Sequence, residues 1–472
     1  MEAPRDSWAT FAYETPAPTY RLRIAVEELS MGAMAFIGYT IQNPPPAYPG
    51  VPATPLWRKL TFAPGSWYWD DDELSTNFVG HPSAGTFYYM FARANRVSIP
   101  EAFLWTIGTS LLWELIEYKE PVSYNDMIMT PVGGLAIGEG FTQLSGYFDR
   151  SGSDSLSKAL AVIFDPMKKI HDWLDGVVPD RNPATRGWHE FDASAALGFL
   201  SQGGATYAAV QVAWSSRIFH GPGYGEPGSG SFGFADGNAS SMGIAFTVAA
   251  GQTVDFLYET ETALAGYYVR SIRRTGEDLD GWDLFVGGTV GYEFGSHVWG
   301  LSQAPRKNQI CLVRVPGIDL RGRLFAGPFR IVGGVDVAFD FGGVEPFEAP
   351  GSPPPGTAYP TVYIGQGYYY GLGLHLAPLL EFQWKSLSLG GAARVDRFFA
   401  TISGPYAPAP PLPVPSMQDS RTLASTWLRM RSSELGVEGA LRAEWRDRWG
   451  SVGGDRASAE ERALFASFAV VF

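Results

Sequence analysis

The chain has 472 residues, a formal net charge of −13, and 56 Gly, 35 Pro, 15 Trp, 22 Tyr and 30 Phe. Hydrophobic residues make up 45% and charged residues 18%, too apolar a mixture for general disorder, while Gly and Pro far exceed their usual roughly 12% and argue against a single helical bundle. The acidic balance excludes the basic stripe of a nucleic-acid binder, and one cysteine, Cys311, excludes a disulfide framework or a multi-Cys metal site.

The start, Met1-Glu2-Ala3-Pro4-Arg5, has neither the basic opening nor the apolar run of a signal peptide. An exported protein is therefore expected here in its mature form, without the signal peptide. Residues 21–41 predict a helix rich in Ala and Met, and the proline-rich stretch 43–56 a linker. Residues 83–95 and 99–118 predict a helical pair joined near Pro100. Ser98 is placed to cap the second helix, with Glu101 three residues on completing a capping box. The glycines Gly133, Gly134 and Gly138 predict tight packing or a turn over 131–145, and 154–175 reads as a further helix. The nearest approach to a long apolar stretch, 99–116, carries Glu101 and Glu114, so a conventional transmembrane helix is not expected.

Near residue 185 the pattern changes from helical spacing to alternation. In 329–341, Phe329, Ile331, Val335, Val337, Phe339 and Phe341 share one face and Arg330, Asp336 and Asp340 the other. In 380–385, Leu380, Phe382 and Trp384 oppose Glu381, Gln383 and Lys385; in 441–449, Leu441, Trp445 and Trp449 oppose Arg442, Glu444, Arg446 and Arg448. About twelve such strands are predicted, near 187–200, 205–218, 241–250, 254–272, 282–295, 312–325, 329–342, 369–386, 391–403, 421–435, 436–449 and 461–472.

A soluble sandwich also alternates. Long strands and Trp and Tyr clustered at strand ends favour a membrane barrel instead. So does the closing run Leu464, Ala466, Phe468, Val470, Phe472, which resembles the assembly signal of bacterial outer-membrane proteins. If the last strand ends on the periplasmic side, the connections 435–437, 387–390 and 326–328 are periplasmic and short, and 404–420, 343–367 and 296–311 are extracellular and long. That is the bacterial pattern. The segment 219–240 is long on the wrong side.

Rare-residue words fall in order over 57–150: Trp67-Tyr68-Trp69-Asp70-Asp71-Asp72, Ser75-Thr76-Asn77-Phe78-Val79-Gly80-His81-Pro82, Trp113-Glu114, Asn125-Asp126, and Thr130-Pro131-Val132-Gly133-Gly134 with Gly138-Glu139. This stretch resembles a bacterial family, the domain of unknown function 3943. The resemblance implies an outer-membrane location and no activity.

The candidate chemistry lies in the same stretch. Glu114 and Glu117 stand three apart on a predicted helix and so share a face. With His81 and Asp126 they form the candidate catalytic set, since a desolvated carboxyl beside a histidine suits acid–base work. Asn77 and Ser123 are candidate binding groups beside them, and Arg442 and Arg446 on the barrel's polar face. No second histidine stands at ligand spacing, so no metal is assigned; His171, His189, His297 and His375 are isolated in sequence and take no role. Acidic early strands (Glu190, Asp192, Asp255, Glu259, Glu261, Asp283, Glu293) and basic later ones (Arg321, Arg323, Arg330, Arg429, Arg442, Arg446, Arg448) predict ion pairing across one lumen.

The expected fold is a mainly β, transmembrane antiparallel β-barrel of about twelve strands over 186–472. It is preceded by a helical region over 1–185 that fills or covers it. The expected function is a non-enzymatic structural or binding barrel with a plugged lumen. The alternatives are a channel or transporter for small solutes and an envelope lipid- or glycan-modifying enzyme. No cofactor is expected. Expected partners are outer-membrane lipid, lipopolysaccharide and, through the strand ending at Phe472, the barrel assembly machinery; nucleic acid is excluded.

Overall fold

A computed structural model describes residues 14–42, 54–70, 72–118, 120–152, 154–180, 187–221, 223–237, 239–301, 306–345, 368–400, 417–432, 434–452 and 455–471. They fall into two compact units, a helical one within 11–185 and a β one within 186–402 and 414–472.

The helical unit comprises α1 (Arg21–Gln42), α2 (Leu56–Leu60), the two-residue strand β1 (Trp67–Tyr68), a π turn (Thr76–Gly80) running into α3 (His81–Ala94), α4 (Ile99–Ile116), the short strand β2 (Val122–Ser123), α5 (Asp126–Ser151), α6 (Ser155–Phe164) and α7 (Pro166–Asp175). Its centre is the crossing of α3 and α5, and the glycines make that crossing possible. A Cβ on Gly85 would lie 1.8 Å from the Thr130 carbonyl oxygen, and one on Gly134 2.4 Å from the Gly85 carbonyl carbon. The glycines of 131–145 therefore sit inside a helix and serve packing. The same crossing buries Arg93 against Glu139 through two hydrogen bonds, 2.8 and 3.2 Å. Tyr89 and Gln143 donate to the same carboxylate at 2.7 and 2.6 Å.

Three local expectations change. Ser98 Oγ caps α4 by accepting from the Glu101 backbone N–H at 3.4 Å. The Glu101 carboxylate, however, pairs with Arg21 (2.6 and 2.9 Å) instead of returning to Ser98, so only half of the capping box forms. The single helix expected over 154–175 is two, because Pro166 carries no N–H and forces Asp165 out of the helical region (φ −142°). Asp165 then caps α7 by accepting from the Lys168 N–H at 2.8 Å. By length and composition, α1, and not the 99–116 segment, is the helix among the described residues that is long and apolar enough to cross a membrane. The charges of α1 (Arg21, Arg23, Glu27 and Glu28) fall in its first turns and leave 29–41 uncharged. Most of the expected 43–56 linker lies outside the described residues.

The β unit runs β3 (Trp188–Gln202), β4 (Ala205–Phe219), β5 (Gly228–Phe234), β6 (Ala239–Ala249), β7 (Thr253–Thr275), β8 (Asp278–Trp299), β9 (Arg306–Gly327), β10 (Phe329–Val344), β11 (Tyr369–Trp384), β12 (Leu387–Ala400), β13 (Met417–Ser432), β14 (Val437–Val452) and β15 (Asp455–Val471). Leaving β5 aside, each strand pairs antiparallel with the next, and β15 pairs back onto β3 (Val471 opposite Asp192, Glu461 opposite Gln202). The result is a closed twelve-stranded antiparallel barrel, and all twelve predicted strands are present. The 219–240 excursion is explained by β5: β6 covers β7 only over Thr253–Ala263, and β5 pairs with the stretch Gly266–Ile272 that β6 leaves bare.

Alternation sorts the two faces. Each of the twelve strands turns at least one large apolar side chain outward, among them Phe199, Val212, Phe246, Tyr267, Leu284, Ile318, Phe339, Leu374, Leu389, Leu428, Leu441 and Leu464, each at least 39% exposed. Opposite them the lumen face carries the charged residues. In β9 the pair Val315–Pro316 is bulged against Phe339, shifting the register between Ala338 and Asp340. The extra residue returns Arg314 to the lumen face shared with Asp319, Arg321 and Arg323, a recognised use of a bulge. Cys311 is a free thiol and fully buried.

Candidate functional site

In the helical unit, the N-terminal ends of α3 and α5 converge with the C-terminal end of α4 on the strand pair β1–β2. Asp70 follows β1 and sits at the middle of the cluster. It accepts hydrogen bonds from the Asn77 amide, the Ser123 hydroxyl and the Asn125 amide (the last at 3.0 Å). The Asn125 amide also donates to Asp126 at 2.8 Å. Glu114 reaches over from α4 to accept the Ser123 backbone N–H at 2.7 Å. His81, the first residue of α3, lies with Nε2 3.3 Å from Asp126 and Nδ1 3.3 Å from the Thr130 hydroxyl.

Asp70, Asn77, Glu114, Ser123, Asn125 and Asp126 are all buried, and the His81 side chain, 19% exposed, is the cluster's edge toward solvent. Burial drives the Asp126 carboxyl well above its ordinary range, and the Asp70 and Glu114 charges add to it. Burial pushes Glu114 up to about 8, against the pull of the Ser123 N–H. Burial also lowers His81, although Asp70 pulls it the other way. Both shifts favour the uncharged forms, a carboxylic acid beside a neutral imidazole. Such a pair can hold a proton between Asp126 and His81.

His81, Asp126, Glu114, Asn77 and Ser123 are thus brought together. Glu117 is not. The helix ends at Ile116, and Glu117 is its C-cap with ψ 90°, so the three-residue spacing no longer puts it on the face of Glu114. The backbone carbonyls of Glu114 and Glu117 instead both accept from buried Lys59. Burial, with Glu120 and Glu114 nearby, pushes the Glu117 carboxyl up to about 9. Asp70, Asn125 and Thr130 were not singled out from sequence; the rare-residue words that contain them were the available signal.

Arg442 and Arg446 belong to the barrel's lumen face. Arg446, on β14, pairs with Glu444 on its own strand (3.0 Å) and with Asp255 on β7 (2.6 Å). Arg442 pairs with Glu444 at 3.0 Å and donates to Gln211 on β4. Further contacts join strands that are not neighbours in the ring: Arg394 on β12 with Glu293 on β8, at 2.5 Å, and Arg431 on β13 with Glu190 on β3, at 3.1 Å. Toward the end that carries Val471, the segment after β4 brings Tyr224 against Phe219, Tyr268 and the Arg323 guanidinium (4.2, 5.0 and 4.3 Å). Arg323 in turn pairs with Asp283 at 2.6 Å.

Histidines that are isolated in sequence acquire partners on this face. His297 faces Asp255 and Glu461, and His375 faces Asp396 and Asp336.

A closed, even-stranded antiparallel barrel with an apolar exterior and a charged interior is the fold of an outer-membrane β-barrel. Residues 66–167 match the family described as Domain of unknown function (DUF3943), and the site's residues from Asn77 to Thr130 all fall within that match. No curated protein matches the sequence. Among solved structures, the chain is similar to the translocator domain of the autotransporter NalP from Neisseria meningitidis, with 10% identity over 60% of this chain and 88% of that one and a TM-score of 0.25. It is also similar to the beta domain of the Bordetella autotransporter BrkA, with 8% identity, 60% and 99% coverage and a TM-score of 0.25. Pseudomonas aeruginosa OccK2 (OpdF) gives 9% identity, 60% and 97% coverage and a TM-score of 0.17.

Proposed function

We propose that the chain spans the bacterial outer membrane as a non-enzymatic structural or binding barrel whose lumen is closed to free diffusion. The observation that carries this reading is the set of ion pairs between non-neighbouring strands, Arg394 with Glu293, Arg446 with Asp255 and Arg431 with Glu190, which bridge strands three to five places apart in the ring at several heights. The apolar exterior supports the membrane location, because a belt of this kind around all twelve strands would drive aggregation in water. Outer-membrane lipid and lipopolysaccharide are the partners that exterior suits, with the assembly machinery engaging the last strand.

Planar-bilayer recording tests closure. The intact protein is expected to carry little current, and the double variant Arg394→Ala, Arg446→Ala to carry much more. Deleting residues 1–185 is the matched arm, raising conductance only if that region contributes to closure. Large steady currents from the intact protein would replace this reading with a solute channel.

A second reading rests on the His81–Asp126 contact: an acid–base enzyme acting on envelope lipid or glycan. Complementation by His81→Gln, Asp126→Asn and Glu114→Gln decides it. We expect all three to complement as wild type does.

A further inference from the structure

We propose that the barrel wall holds a divalent cation between Asp340, His375 and Asp396. These residues come from three consecutive strands, β10, β11 and β12, at one height on the lumen face. His375 is directly opposite Asp396 in the ladder, and Asp340 is opposite Gly373, two residues away on β11. Each offers one ligand atom, and these atoms all lie within 4.8 Å of one another.

The second observation is Asp340 itself. It is 1% exposed, and neither carboxylate oxygen accepts a hydrogen bond. Its nearest cation, Arg314 Nε, stands 3.5 Å away. A buried carboxylate is unfavourable in this state unless it is paired, protonated or bound to a metal. The neighbouring charges do not close the account. Asp340, Asp396, Asp336 and Glu293 face Arg314 and Arg394, and Asp336 is hydrogen-bonded to Glu261. Arg394 also faces Glu259 at 3.7 Å, so carboxylates outnumber guanidiniums around Asp340, and a divalent ion would offset part of that excess.

The chemistry of the set fits. One imidazole with carboxylates suits a borderline ion such as Zn²⁺ better than Ca²⁺, which takes oxygen ligands only. Asp396 lies 2.6 Å from His375 Nδ1, and Asp336 3.6 Å from Nε2, so both ring nitrogens are held among carboxylates. The companion cluster of Asp255, His297 and Glu461 differs. Asp255 and Asp396 are alike, each with one oxygen on its histidine and the other on an arginine, but the third carboxylates are not: Glu461 accepts from Gln202 at 2.8 Å and has Arg446 3.8 Å away, while Asp340 accepts no hydrogen bond. That cluster is already charge-paired and serves as an internal control.

The test uses the full chain in detergent micelles, stripped with a chelator and dialysed against Zn²⁺. Elemental analysis should find one Zn²⁺ retained per chain. Asp340→Asn and His375→Gln should each weaken retention by more than about tenfold, while His297→Gln should leave it unchanged; a heat-dependent gel shift reports whether each variant still forms the barrel. The proposal is overturned if wild type retains no Zn²⁺, or if the ion survives in both Asp340→Asn and His375→Gln. A crystal of the wild-type protein measured at the zinc edge needs no variant. An anomalous peak among Asp340, His375 and Asp396 supports the site, and a map with no peak there removes it.

Discussion

The two units bury charge in opposite ways. In the barrel, guanidiniums and carboxylates share a lumen face that alternation alone produces, and each charge has several potential partners on neighbouring and opposite strands. In the helical unit, the charges at the crossing of α3 and α5 and beside β1 have dedicated partners, Arg93 on Glu139 and Asp70 ringed by Asn77, Ser123 and Asn125, while Glu14, Arg96, Lys168 and Asp172 form one shared network. The difference teaches that a closed sheet supplies a polar interior by its period, whereas packed helices must specify each buried polar group individually. The barrel should therefore be sensitive on its outside and tolerant within, and the helical unit the reverse.

The largest expected effect is in the helical unit. Glu139→Leu leaves Arg93, 1% exposed, without its carboxylate. About 3–5 kcal/mol of that unit's stability should be lost, seen as a lowered unfolding midpoint by circular dichroism. A wild-type midpoint would show that the helical unit tolerates lost pairs as a barrel does. Next comes the barrel exterior. Leu374→Arg places a charge on the outward face of β11 and should cost about 2–4 kcal/mol if that face meets the bilayer midplane, measured by denaturant unfolding from lipid vesicles. Arg446→Gln, on the inward face, should cost much less in the same assay.

A third test separates the units by pH. Glu114 and Glu117 are pushed up to about 8 and about 9 when folded, against about 4.3 for a free glutamate. Over this window the unfolded chain has released protons that the folded one keeps, so the helical unit loses stability as pH rises from about 5 to about 8. The protection of α4 amides, taken relative to the intrinsic base-catalysed exchange rate, should fall over that range, and Glu114→Gln should flatten the slope. A pH-independent protection would mean that both carboxyls titrate normally. The smallest effect is the cap: Ser98→Ala should cost about 1 kcal/mol or less, because its bond to Glu101 N is long and the carboxylate half of the box is absent.

How much was legible follows the same division. Leu380, Phe382 and Trp384 against Glu381, Gln383 and Lys385 announce a two-faced strand without reference to anything distant, because a strand's side chains alternate whatever it pairs with. Repeated over twelve segments, that pattern determined the barrel, its strand positions and a charged lumen face on which acidic and basic strands meet. It did not determine β5, which exists because β7 outruns β6, nor the bulge at Val315–Pro316 that returns Arg314 to the lumen.

In the helical unit the words were visible and their assembly was not. Glu117 looked equivalent to Glu114 by spacing, yet the helix ends one residue before it, and a helical face is lost as soon as ψ leaves the helical region. Asp70 became central only because β1 and β2 pair beside the ends of α3 and α5. His375 looked isolated because its partners stand 35 residues before it and 21 after it, as Asp340 and Asp396. By itself the sequence determined which faces are apolar, which are charged and how many strands there are, since period is a local property. Which charged groups meet was decided by tertiary structure alone, because strand register, helix ends and chain crossings depend on residues far apart along the chain.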